Sequence, residues 1–393
     1  MILNQKYNFP EAKLGPNFAQ DKLKEFKQLI DVGLSFVVLS MPGVGVSFFL
    51  KYLAMQKFAF FIHVDLYLLP ILSQHEFYKL LLTEVGGNPK SKPDNQLLQE
   101  TKEILRKLSE KREKIVIIFS RFDQLKAKFD SNFLSNIQSL TTVSPDKIAL
   151  IFTSIKPLHE IAPGALSGGN LNFYSENLYF KPYSKDDLTR LLKIEPARPG
   201  LAKPALEKLL NLSGGHNQLL HILLSSQKQQ SLLLDQFVKL QMKGFVDYLN
   251  YHQRKQVQKI ALGKQIDEVD DYLLGVGIVR QSTSEVKKMR LHLGGATYEL
   301  FTTLLSEYIK TNLPVKLPVK ESKLFKLLRQ NMGRTVSKDE IFNVVWDPAS
   351  AGEGATDWAL DALIYRLRKH PFIQANGYII ESQKKVGYTL IQT

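Results

Sequence analysis

The sequence predicts an α/β core built on a mostly parallel sheet, then an all-helical segment, then two small α+β modules. Three observations predict it. Short continuous apolar runs alternate with amphipathic stretches through the first 160 residues. Beyond Ser184 the pattern turns helical, and from about Leu324 a series of helix signals leads into two β-rich runs at the C-terminus. Apolar strands separated by helices are the pattern of a sheet covered on both faces.

The candidate strands are Ser35–Ser40, Phe58–Val64, Lys114–Phe119 and Lys147–Thr153. Helices are expected over Gln20–Val32, Ser47–Gln56, His75–Glu84, Asn95–Lys111 and Ser131–Leu140. The run SKDDLTRLLKI opens with Ser184 at a capping position and two acids in its first turn. Two further helices follow, hinged at Gly214–Gly215. A third unit should hold helices over Gln253–Leu262, Asp267–Leu274 and Tyr298–Ile309, with GIVRQ and MRLHLGG as a β-hairpin. Pro314 and Pro318 among lysines read as an extended linker. The resulting limits are 1–160 for the core, 161–240 for the helical segment, 241–313 for the third unit, 314–320 for the linker and 321–393 for the last module.

A chain of 393 residues is long enough for several domains. No apolar run approaches a membrane span, the best being Leu66–Leu72, and the N-terminus lacks the apolar core of a secretory signal. The absence of cysteine excludes a disulfide framework and fits a cytoplasmic protein without membrane partners. A formal net charge of +14 favours a polyanionic partner, because lysine and arginine release counterions from it.

After SFVVLS comes Ser40-Met41-Pro42-Gly43-Val44-Gly45-Val46-Ser47 and then a helix, the strand–turn–helix setting of a phosphate-binding loop. Pro42, Gly43, Gly45 and Ser47 are its candidate nucleotide contacts. Val46 stands where the phosphate-neutralising lysine belongs, and Lys51 lies more than a turn beyond it. The strand KIVIIFSRFDQL is similar to the Walker B strand of AAA+ and STAND ATPases. Ser120 and Arg121 occupy the places of its two acids, leaving Asp123 as the nearest carboxylate. With the lid-like run Leu212–Gln218, this resemblance to origin-recognition-like and STAND AAA+ ATPases covers about residues 1–235. It implies a P-loop core and helical lid, a scaffold without catalysis, no required cofactor, and at most residual ATP or ADP binding.

The third unit resembles the winged helix that follows the lid in such ATPases. The last module, LFKLLRQNMGRTVSKDEIFNVVWDP…TDWALDALIYRLRKHPFIQANGYIIESQKKVGYTLIQT, resembles OmpR-type winged-helix DNA-binding domains from end to end. Leu324–Asn331 is its first helix, Ser337 and Glu340 form a capping box for the second, and Thr356 or Asp357 caps the third. Tyr378–Ile380 and Tyr388–Ile391 form a hairpin tipped by Gln383–Lys385. Helical periodicity sends Leu360, Leu363, Ile364 and Leu367 to the core. Trp358, Ala362, Tyr365, Arg366 and Lys369 then face a DNA major groove, with Arg368 at the flank. Arg366 is the candidate base reader. Lys369, Lys384, Lys385, Arg334 and Lys338 are candidate backbone contacts.

From Lys320 onward eleven Lys/Arg stand against eight Asp/Glu, so the module is only modestly basic. The family commonly has Arg, His and Arg at Trp358, Leu363 and Tyr365. Either the aromatics touch thymine methyls or sugars, or the module docks protein. The expected partner is double-stranded DNA, with RNA polymerase or another protein reached through the loop Asp347–Ala355. The function expected is a DNA-binding transcriptional regulator. A nucleotide-switched STAND-type signalling ATPase and a protein-docking scaffold are the alternatives.

Overall fold

The computed structural model describes residues 10–166, 170–194, 202–226, 232–282, 297–312, 318–346, 356–370, 373, 378–383 and 386–392. The chain divides into two compact units, residues 1–249 with 268–281, and residues 250–267 with 282–393.

The first unit is built on five parallel strands in the order β2-β3-β4-β1-β5. These are β1 (Phe36–Ser40), β2 (Phe60–Asp65), β3 (Ile115–Ser120), β4 (Ile148–Ser154) and β5 (Asn177–Phe180). The first four coincide with the apolar runs of the sequence, and β1, β3 and β4 are buried along their whole length. β5 was not expected. Its residues Asn177–Tyr179 are only half-buried, so its four positions carry no continuous apolar signal.

Helices α1 (Gln20–Asp31), α2 (Val46–Ala54), α3 (Gln74–Glu84), α4 (Asp94–Lys111) and α5 (Ser131–Gln138) lie where periodicity places them. Short turns α6 (Leu158–Ile161) and α7 (Asn170–Phe173) precede β5. The helical segment comprises α8 (Lys185–Ile194), α9 (Lys203–Ser213), α10 (Asn217–Ser225) and α11 (Gln236–Asp247). Gly214 ends α9 in the left-handed conformation. Gly215 is no free hinge, for the Tyr183 N–H donates to its carbonyl at 2.9 Å.

Asp270 caps α13 (Asp271–Gly275), so the helix expected from Asp267 is only five residues long. In the second unit Asn250 and Gln253 form a reciprocal capping box for α12 (Tyr251–Ala261), which packs on α14 (Thr303–Asn312). The helix expected from Tyr298 starts instead at Thr303, because Tyr298–Leu300 form strand β7. Val279–Gln281 are strand β6, and MRLHLGG lies outside the described residues.

The C-terminal module contains α15 (Val319–Gln330), α16 (Lys338–Val345), α17 (Asp357–Lys369) and a sheet of order β8-β10-β9. Its strands are β8 (Thr335–Ser337), β9 (Tyr378–Gln383) and β10 (Gly387–Gln392), all antiparallel. α15 begins directly after Pro318, whose fixed φ suits a helix entrance. The linker expected through residue 320 is therefore helical from Val319. Ser337 caps α16 as expected, but Glu340 turns its carboxylate to Arg334 at 3.2 Å. Thr356, rather than Asp357, caps α17. Leu324, Leu328, Val336, Ile341, Leu360, Ile364, Leu367 and Leu390 form the core. Among the described residues no helix is long and apolar enough to cross a membrane.

Candidate nucleotide cleft and nucleic-acid interface

At the C-terminal end of β1 the chain turns through Gly43 and Gly45, both at positive φ, and enters α2. The turn borders a cavity of about 840 Å³ whose other walls include Arg121, Asp123, Thr153 and Gln218. Pro42, Gly43, Gly45, Ser47 and Asp123 thus come together at one cleft. Lys51 also lines this cleft. Its ammonium lies 3.6 Å from the buried carboxylate of Glu11.

Ser120, Arg121 and Asp123 are each engaged by the protein. The Ser120 hydroxyl lies 2.6 Å from His63 Nε2. Arg121 adopts a left-handed backbone conformation, uncommon for a residue other than glycine, and its N–H donates to Thr153 Oγ1 at 2.7 Å. Its guanidinium stacks over the Tyr67 ring at 4.5 Å. Asp123 accepts from the Ile155 N–H at 3.4 Å, and burial pushes its carboxyl upward. A carboxylate-held metal does not fit this donor set, because a guanidinium stands at the acid's place.

The segment around α10 closes on the loop. Its His216 Nε2 donates to the Pro42 carbonyl at 2.9 Å, and the Gln218 N–H donates to the Gly43 carbonyl at 3.1 Å. Tyr183 adds a bond from its hydroxyl to the Gly45 carbonyl at 2.8 Å. A Cβ on Gly43 would fall 1.8 Å from Gln218 Oε1, so the glutamine side chain occupies the space above the turn. Sequence reasoning missed this seat. The glycines signalled a close approach, but by a ligand rather than by a neighbouring helix.

Burial depresses the imidazoles of His63 and His216 to about 4, from an ordinary 6.5. The unfolded chain protonates both below that ordinary value, whereas the folded chain resists until much lower pH. Stability is therefore full above pH 6.5 and is lost as pH falls toward 4. Each histidine should remove up to about 3 kcal/mol. Urea midpoints measured from pH 7.5 downward should fall across that window, and a flat profile would refute the buried neutral imidazoles.

In the C-terminal module α17 presents Trp358 and Tyr365 outward, 81% and 56% exposed, with Ala362 half-buried between them. Lys369 continues that stripe, its ammonium 4.5 Å above the Tyr365 ring. Among the described residues the other nominated cations have partners within the module. Arg366 Nε donates to Glu321 Oε1 at 2.8 Å, and Lys338 lies 3.0 Å from Asp357. Arg334 is paired with Glu340. Arg368 donates from Nε to the Ile380 carbonyl at 2.8 Å and from Nη2 to Ser382 Oγ at 2.7 Å, tying α17 to β9. Lys384, Lys385 and the loop 347–355 lie outside the described residues. Sequence reasoning missed Glu321, a single acid in a lysine-rich turn whose side chain is 6% exposed.

Residues 312–390 match the family described as "Transcriptional regulatory protein, C terminal", and this segment is an OmpR-type winged-helix domain. No curated protein matches the chain. The core is a parallel α/β fold. Similar solved structures include a Walker-type ATPase of Pyrococcus abyssi at 12% identity, covering 79% of this chain and 100% of that one, with a TM-score of 0.47. The Aeropyrum pernix ORC1 protein in complex with DNA is 12% identical over 97% of this chain and 91% of that one, at 0.40. A signal-transduction STAND ATPase with a tetratricopeptide-repeat sensor from Pyrococcus horikoshii is 14% identical over 91% and 52%, at 0.33. Likenesses at these scores say nothing of ligands or activity.

Proposed function

We propose that the chain is a transcriptional regulator that binds double-stranded DNA through its C-terminal winged helix and carries a catalytically inactive α/β scaffold. The observation that carries the DNA reading is α17, an outward-facing helix braced against β9 within a module of a transcriptional-regulator family. The scaffold reading rests on Val46, which brings no charge to the lysine's place, on Ser120 and Arg121, which bring no metal-side acid, and on the carbonyls of Pro42, Gly43 and Gly45 already accepting protein donors.

Mixed-sequence duplex DNA, titrated with the full chain at low salt, tests the proposal. Binding is expected to weaken with salt, with a slope of about −2 to −3 in log–log form, corresponding to about three phosphates neutralised. The internal carboxylate partners of Arg334, Lys338 and Arg366 keep that slope shallow. Absence of binding at any salt would refute the DNA reading. It would favour docking of a protein through the exposed Trp358 and Tyr365.

A further inference from the structure

We infer that the winged helix reads its duplex through thymine methyl groups, with Trp358 and Tyr365 as the specificity-determining contacts. This inference rests on the DNA-binding reading above. Its starting point is the state of the two arginines at the C-terminal end of α17. A guanidinium reads guanine by presenting a fork of two N–H groups to O6 and N7. Arg366 keeps its Nη groups but is anchored through Nε to Glu321, which fixes the direction of its fork, and Arg368 has both Nε and Nη2 committed to β9. Redirecting either would leave a buried carboxylate or a strand carbonyl without its donor, which opposes such a movement. Both arginines therefore act as braces for α17.

The large apolar groups that remain outward on this helix are aromatic. Trp358 and Tyr365 lie two turns apart on one stripe, and Ala362 between them is small enough to let the helix axis approach the groove floor. Of the two acids nearest the stripe, Asp357 is compensated by Lys338, and Asp361 keeps its charge but is tied down by the Tyr388 hydroxyl. Lys369 above the Tyr365 ring places a cation at the end of the stripe, where a phosphate strand would run.

On the floor of the major groove the one apolar projection is the C5-methyl of thymine. An exposed indole or phenol ring placed over it removes apolar surface of both groups from water. A buried methyl-sized group is worth roughly a factor of four in affinity, so two contacts give roughly fifteen-fold. The target class that follows is A·T-containing duplex, recognised in the major groove by its methyl groups.

Two duplexes differing only in those methyls provide the test: alternating A–T, and the same duplex with deoxyuridine in place of thymidine. Phosphates and minor groove are shared. The full-length protein should bind the thymidine duplex roughly ten- to fifteen-fold tighter at equal salt. Trp358→Ala and Tyr365→Ala, both at exposed positions and so expected to keep the melting temperature, should each reduce that ratio to roughly four. Equal affinity of the unaltered protein for the two duplexes overturns the methyl readout while leaving DNA binding intact. Failure to bind either duplex at low salt overturns the DNA reading as well, and points to a protein on this face.

Discussion

Replacing Gly215 with alanine should destabilise the first unit by about 3 kcal/mol or more, the sum of a disfavoured positive φ and a backbone collision. The residue sits at φ +89°, and a Cβ there would lie 2.3 Å from the Tyr183 carbonyl oxygen and 2.8 Å from Pro182 Cβ. The oxygen belongs to backbone, so no side-chain rotation relieves the contact. Tyr183 is also the donor to Gly45, so displacing it loosens the turn between β1 and α2. For a unit of this size the melting temperature should drop by roughly 6–12 °C. Gly244, inside α11 with open space around its Cα, provides the control. Alanine there should be neutral or stabilise by about 0.5–1 kcal/mol. Equal melting temperatures for the two variants would contradict the close packing at Gly215.

Arg366→Ala should unsettle the winged helix before any question of base reading arises. Glu321 is buried on the first turn of α15, and removing the guanidinium leaves its carboxylate uncompensated in the interior. Because the arginine side chain is itself 60% exposed, water will partly replace it, and a loss of about 1–3 kcal/mol is expected. Adding Glu321→Gln to Arg366→Ala should recover part of that loss by removing the stranded charge. Thermal melts of the two variants decide the matter. An Arg366→Ala protein as stable as the parent would show the pair to be a surface contact only. For the same reason, weaker DNA binding by Arg366→Ala alone would not identify a base-reading residue.

The parts of the fold visible in the sequence are those whose signal is local. β1, β3 and β4 are buried along their whole length and therefore read as unbroken apolar runs. Ser337 and Thr356 were legible as caps because a cap is a short-range hydrogen bond. β5 was not, since a short half-buried edge strand has little apolar patterning. Tyr298–Leu300 was mistaken for helix because three residues of strand before a helix leave the apolar spacing ambiguous.

At the candidate sites the residue types were legible and their partners were not. The glycines of the turn, Val46 and Arg121 could be read in place. The seating of His216 and Gln218 on Pro42 and Gly43 joins residues far apart in the chain, and no spacing announces it. The same holds for Arg366 with Glu321 and Arg368 with β9. Helical periodicity puts both arginines on the outside, where their side chains are, but gives no sign of the inward bonds that make braces of the base-reading candidate Arg366 and the flanking Arg368.

One titration tests the account most directly: labelled duplex DNA against the full chain at low salt, performed without nucleotide and again with excess ATP–Mg²⁺. The account predicts saturable binding that weakens with salt and has the same affinity in both series, because Val46 leaves the turn without a phosphate-neutralising lysine and His216, Gln218 and Tyr183 already hold its carbonyls in place. No binding in either series, or binding that requires ATP–Mg²⁺, would contradict it.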